Sequence, residues 1–84
     1  MFKHFSDPAH GWLRVDVQSV ESLGLSYKSF SPFSYRYAHW LFLEEDCDAG
    51  LFINAYLKKH GRAPKIVEHS TNRSSLIRNY ERIA

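Results

Sequence analysis

The chain has 84 residues, one cysteine, and eleven Lys and Arg against nine Asp and Glu, for a formal net charge of +2. That length holds one domain with a modest core, the lone cysteine excludes an internal disulfide, and so small a charge excludes a chain-wide polycation. No N-terminal segment resembles a signal peptide and no apolar run reaches membrane-spanning length, so a cytoplasmic protein without a membrane partner is expected.

Phe2 to Phe5 reads as a short edge strand or a tethered terminus. Asp7-Pro8-Ala9-His10-Gly11 has turn chemistry: Asp suits the first position, Pro the second, and Gly the exit. A local clasp is favoured over an Asp7–His10 acid–base pair, because no nucleophile or third ligand accompanies it. Trp12 to Val17 alternates, with Leu13, Val15 and Val17 on one side and Trp12, Arg14 and Asp16 on the other, which predicts a strand. Trp12 beside Arg14 is a candidate partner contact, since aromatic residues and Arg are enriched at binding hot spots. The alternative is that another part of the chain covers Trp12.

Gln18 to Leu23 predicts a short helix, with Val20 and Leu23 inward and Gly24 at its end. Phe33, Tyr35 and Tyr37 alternate with Ser34 and Arg36, a second strand. A turn at Tyr37-Ala38-His39 would return it into Trp40–Glu44, although that turn lacks Gly or Asn. One bent strand from Phe33 to Glu44 competes with the hairpin.

Leu41 to Gly61 is the densest stretch: a strand end, an acidic hinge and a helix with a clean stop. Asp46 or Asp48 is placed to cap that helix. Lys58, Lys59 and His60 suit its negative end, and Gly61 suits a left-handed stop. Lys65 to His69 predicts a last strand, and Ser74 or Ser75 would cap a final helix bearing Leu76, Ile77, Tyr80 and Ile83. The expected fold is a single α+β domain over residues 1–84. It has an antiparallel sheet in β-α-β-β-α-β order, of ferredoxin-like type, plus a short C-terminal helix.

Two charge concentrations carry the functional reading. Glu44, Glu45, Asp46 and Asp48 form the hinge cluster, whose simplest roles are capping and solubility. Its sharper role is a surface for a basic partner, with Trp12 and Arg14 beside it. Metal binding is disfavoured. Neighbouring carboxylates on a strand alternate faces, and no EF-hand pattern is present, so no cofactor or metal is expected. Basic residues gather from Lys58 onward. There Arg73, Ser75, Arg78 and Tyr80 are candidate phosphate or nucleotide contacts. The competing account pairs those arginines with the hinge carboxylates. The histidines lack metal-site spacing, which leaves a metal-dependent phosphoesterase built on Asp7, His10, Glu45 and Asp46 as a third option. A Cys47–His nucleophilic pair at the helix start is a separate enzymatic option, disfavoured because a helix-start cysteine is more often buried.

The segments Asp7-Pro8-Ala9-His10-Gly11-Trp12-Leu13, Leu43-Glu44-Glu45-Asp46-Cys47-Asp48-Ala49, and Asn72-Arg73-Ser74-Ser75 with Ile77-Arg78-Asn79-Tyr80 resemble a family of small uncharacterised accessory proteins of bacteriophage and plasmid genomes. The resemblance spans nearly the whole chain. Family members usually carry Gly where this chain has Ala9, and Gly or Asp in the hairpin turn where it has Tyr37-Ala38-His39. The resemblance implies a mobile-element setting rather than a mechanism. Together with the acidic hinge it makes a non-enzymatic factor that binds and inhibits or redirects a host protein the leading expectation, counter-defence included. A nucleotide or nucleic-acid binder using the C-terminal third is the alternative.

Overall fold

The computed structural model describes residues 1–72 and 75–83. Arg73, Ser74 and the side chain of Arg78 lie outside the described residues. The elements are β1 (Phe2–Ser6), β2 (Gly11–Asp16), α1 (Val17–Ser22), β3 (Tyr35–Tyr37), β4 (Trp40–Glu44), α2 (Asp48–His60), β5 (Ile66–Ser70) and β6 (Glu81–Arg82). Short 3-10 turns occupy Tyr27–Ser29 and Leu76–Asn79. The strands form one six-stranded sheet in the order β5-β1-β2-β4-β3-β6.

The sheet is mixed rather than antiparallel throughout, because β5 runs parallel to β1. The other pairings are antiparallel. It follows that β2 and β3 run the same way with β4 between them. Likewise β4 and β5 run the same way with β2 and β1 between them. Each helix therefore carries the chain across at least one intervening strand. The N-terminal strand is interior, not an edge, since Phe2 buries its side chain under α2 and both its flanks are paired.

Alternation sorts the side chains onto two faces. Leu13 and Val15 of β2 and Leu41 and Leu43 of β4 meet Val20 of α1 and Ala49 and Phe52 of α2. Phe2 packs edge-on against Phe52 and Tyr56, at 5.2 and 5.9 Å between ring centroids. Each fully buried aliphatic or aromatic side chain there contributes about 1.5–3 kcal/mol. The apolar face of α2 is narrower than its composition suggests, for Leu51 and Leu57 remain exposed. Gly61 adopts φ 72° and its N–H bonds the Leu57 carbonyl, which ends α2 as its sequence predicts.

Among the described residues, the opposite face carries no α-helix. Trp12 and Phe42 are covered there by Ile77, with Phe5, Tyr35, Trp40 and Tyr80 around them. Trp12 is thus 2% exposed, so of the two expectations for it the structure takes coverage, by the C-terminal segment, over an open ring. That segment is held at one end by Thr71 N–H on the Ser6 carbonyl and by Ser75 N–H on Asp7 Oδ2. At the other end Tyr80 stacks on Tyr37, 4.8 Å between centroids.

The expected final helix is not formed. Ser75 caps a single 3-10 turn, and the chain is extended again at Tyr80. A longer helix would withdraw Glu81 and Arg82 from their ladder with β3, and Ile83 from the core. The hairpin is formed with Ala38 and His39 at its tip. Ala38 takes φ 55°, whereas Ala9 needs no such angle.

Candidate binding cleft

The acidic turn after β4 does not present its carboxylates as a cluster. Asp48 turns inward and is buried. Its carboxylate accepts from Ser31 N–H at 2.9 Å, from the Ser31 hydroxyl at 2.7 Å, and from the buried Ser34 hydroxyl. Ser34 Oγ in turn accepts from Glu44 N–H at 2.9 Å. Glu45 turns toward the helix-bearing face, where its Oε2 lies 3.9 Å from His4 Nε2. His4 Nδ1 meets Glu68 at 3.0 Å on its other side. Gly11 leaves the room for this, since a Cβ there would run into the His4 ring and the Glu45 carboxylate.

Helix α2 is not capped by an aspartate, as its sequence suggests. Cys47 holds the N-cap position, and its side chain makes no capping bond to the helix. Glu44 Oε2 instead gathers Asp46 N–H at 3.1 Å, Cys47 N–H at 3.2 Å and the Cys47 thiol at 3.3 Å. Partial desolvation of the sulfur, then its bond to the Glu44 carboxylate, pushes the Cys47 thiol above its ordinary value. An exposed cysteine held protonated in this way is a poor nucleophile.

Glu44 and Asp46 remain on the helix-free side, and there they rim a cleft of about 490 Å³. Its floor is aromatic: Trp12, Phe33 and Tyr35, with Trp12 and Tyr35 edge to face at 6.2 Å. Phe33 is 62% exposed, the most open aromatic ring of the cleft. His10 stands at the far rim, placed by the turn before β2. Asp7 closes that turn, its Oδ1 accepting from Ala9 N–H at 3.0 Å and His10 N–H at 2.9 Å. The clasp therefore uses the backbone of His10 rather than its imidazole. Arg82 forms a wall, with Nη1 on the Pro32 carbonyl at 2.7 Å and its guanidinium 5.4 Å from the Tyr35 ring.

Of the expected partner residues, the structure brings Glu44, Asp46 and Trp12 to one cleft. It sends Glu45, Asp48 and Arg14 elsewhere. Arg14 lies on the same face of the sheet, but its guanidinium covers Trp40 at 4.0 Å. Of the expected phosphate contacts, Ser75 is engaged through its N–H with Asp7 and through its hydroxyl with Ile77 N–H. Tyr80 stacks on Tyr37 and meets the Phe42 ring at a tilt. Arg73 and the side chain of Arg78 lie outside the described residues. Among the described residues, no Lys or Arg pairs with Glu44, Glu45, Asp46 or Asp48.

No family model matches the chain. A search of curated proteins and a search of solved structures likewise give no match.

The cleft is accordingly described by its own chemistry. Asp7, His10, Glu45 and Asp46, the set a phosphoesterase would need, are dispersed among a turn clasp, the opposite face and the cleft rim. Among the described residues, no three His, Cys, Asp or Glu side chains converge in a metal-holding group. Phe33, Tyr35 and Arg82 are cleft residues that the sequence does not single out. The alternation of Phe33 and Tyr35 is the one signal that places them on a common side.

Proposed function

We propose that the protein is a non-enzymatic binding factor that grips a cationic side chain of a partner protein in this cleft. The observation that carries the reading is the pairing of an aromatic floor with two carboxylates with which no Lys or Arg of the described residues forms an ion pair. A Lys or Arg entering the cleft would meet Asp46 and Glu44 from above and the Phe33 and Tyr35 rings from below. Cation–aromatic contact contributes about 0.5–2 kcal/mol, depending on desolvation. The charge complementarity adds specificity and association rate. Arg82 already shows how a guanidinium rests on this floor, over Tyr35.

The resemblance to phage and plasmid accessory proteins supports a host protein as that partner, inhibited or redirected in the cytoplasm and counter-defence among the outcomes. The helix crossovers straddling intervening strands support a ferredoxin-like sheet, widened by β1 and β6.

The test is titration by NMR with short Arg- and Lys-bearing peptides, followed by two charge reversals. Asp46→Lys is expected to weaken binding at least about tenfold, consistent with loss of a close charge pair. Glu45→Lys, one residue away but facing His4, is expected to leave it unchanged. Equal effects of the two variants, or shifts that miss Phe33 and Tyr35, would sink the proposal.

A further inference from the structure

The helix-free face carries a second patch, further along β1 and β2 from the cleft and opposite in charge to its rim. In the register of β1 and β2, Lys3 stands directly across from Arg14. Like charges so placed repel and destabilise a strand pair. Among the described residues, neither comes within ion-pair distance of a carboxylate. Asp16, two residues from Arg14 on the same side, gives its oxygens to the N–H and hydroxyl of Ser19 at the start of α1. Lys65 lies on the same face: its carbonyl accepts from Phe2 N–H, and alternation from Val67, the partner of Lys3, sets it diagonal to Lys3.

Planar groups surround these cations. The Arg14 guanidinium lies 4.0 Å from the Trp40 ring centroid and 5.6 Å from that of Phe5. Its Nε is buried with no acceptor among the described residues. The His69 ring stacks on Phe5 at 5.3 Å, and that of His39 leans on Trp40 at 4.6 Å. Both histidines are exposed.

We infer that this patch binds single-stranded nucleic acid. A phosphate between Lys3 and Arg14 would relieve their repulsion. Unstacked bases find flat surfaces on either side, at His39–Trp40 and at Phe5–His69. Sheet faces that combine cations with rings in this way hold single strands by stacking and by phosphate contact. An acidic peptide would use the cations and leave the rings idle. The cleft, with Glu44 and Asp46 at its rim, repels a polyanion, so this site stands or falls independently of the protein-binding reading.

The test is fluorescence anisotropy of a labelled oligothymidylate of about a dozen nucleotides, a length matched to known single-strand sites, with the full chain at low salt. Expected is binding that weakens with salt, together with a change in tryptophan emission from Trp40. Lys3→Gln alters an exposed side chain and keeps the fold. It is expected to weaken binding and to flatten the slope of log K against log salt by about 0.7, the value for one phosphate contact on a single strand. Arg14→Gln is expected to weaken it further and to abolish the emission change. An oligothymidylate that does not bind, a salt slope that Lys3→Gln leaves untouched, or equal binding of poly-glutamate would each overturn the inference.

Discussion

The hydroxyl of Ser34 donates to the carboxylate of Asp48, and both groups are buried. This bond joins the segment before β3 to the first residue of α2. Ser34 also receives Glu44 N–H and gives its carbonyl to Ile83 N–H. Four parts of the chain thus meet at one small residue, two of the bonds through its hydroxyl and one through its carbonyl. Asp48→Ala would strip Ser31 and Ser34 of their shared acceptor inside the core. The expected loss is about 3 kcal/mol, the scale for hydrogen bonds to a buried charge left unmade. Thermal unfolding should fall by on the order of 15 °C for a domain of this size. A drop of a degree or two would show that water replaces the carboxylate there.

Ala38 sits at the tip of the hairpin with φ 55°. An L residue with a Cβ is strained in that region, and glycine is not. Ala38→Gly is expected to stabilise the fold by about 0.5 kcal/mol after the added freedom of the unfolded chain is subtracted. Chemical denaturation with an unchanged slope and a higher midpoint would confirm it. A lower midpoint would mean that the alanine methyl makes a contact worth more than the strain.

Asp16 caps α1 through Ser19. Burial alone would raise its carboxyl. The hydrogen bonds from the Ser19 side chain and backbone outweigh that and hold it below its ordinary value of 3.8. The folded state therefore prefers the ionised form. Stability from this group is fully present above that ordinary value and is lost as pH falls through the lower folded value. Asp16→Ala should cost about 1 kcal/mol near neutral pH, as lost caps do. The gap between wild type and variant should close in acid, as read from urea midpoints between neutral pH and pH of about 2.5. A gap independent of pH would assign the effect to packing.

Cys47 is exposed, yet partial desolvation, and then its bond to Glu44, holds its thiol above the ordinary value. Alkylation by iodoacetamide at neutral pH should run slower than that of a free cysteine. Glu44→Gln removes the negative charge and should speed it. Fast alkylation of the wild type would mean that the Glu44–Cys47 bond does not persist in solution.

Some of this architecture was legible from residue order. Strand β2 showed in strict alternation, and α2 in its basic last turn with Gly61 behind it. Local rules sufficed because both signals act within a few residues. They failed at the acidic hinge. Glu44, Glu45, Asp46 and Asp48 look alike in sequence, but Glu45 and Asp48 meet groups that lie far along the chain, whereas Glu44 finds its donors within three residues. Ser31 and Ser34 draw Asp48 in, His4 faces Glu45, and the cleft is left with Glu44 and Asp46.

Residue order alone set an α+β chain, a main helix stopped at Gly61, and charge divided between an acidic turn and a basic end. Tertiary structure decided which side of the sheet each charge serves. It inserted Phe2–Ser6 into the middle of the sheet and reduced the final helix to one turn, so that Ile77 could cover Trp12. The reason is physical. Burial of apolar surface and pairing of sheet edges are settled among residues distant in sequence, and they override a local helical preference of a few tenths of a kcal/mol per residue, roughly.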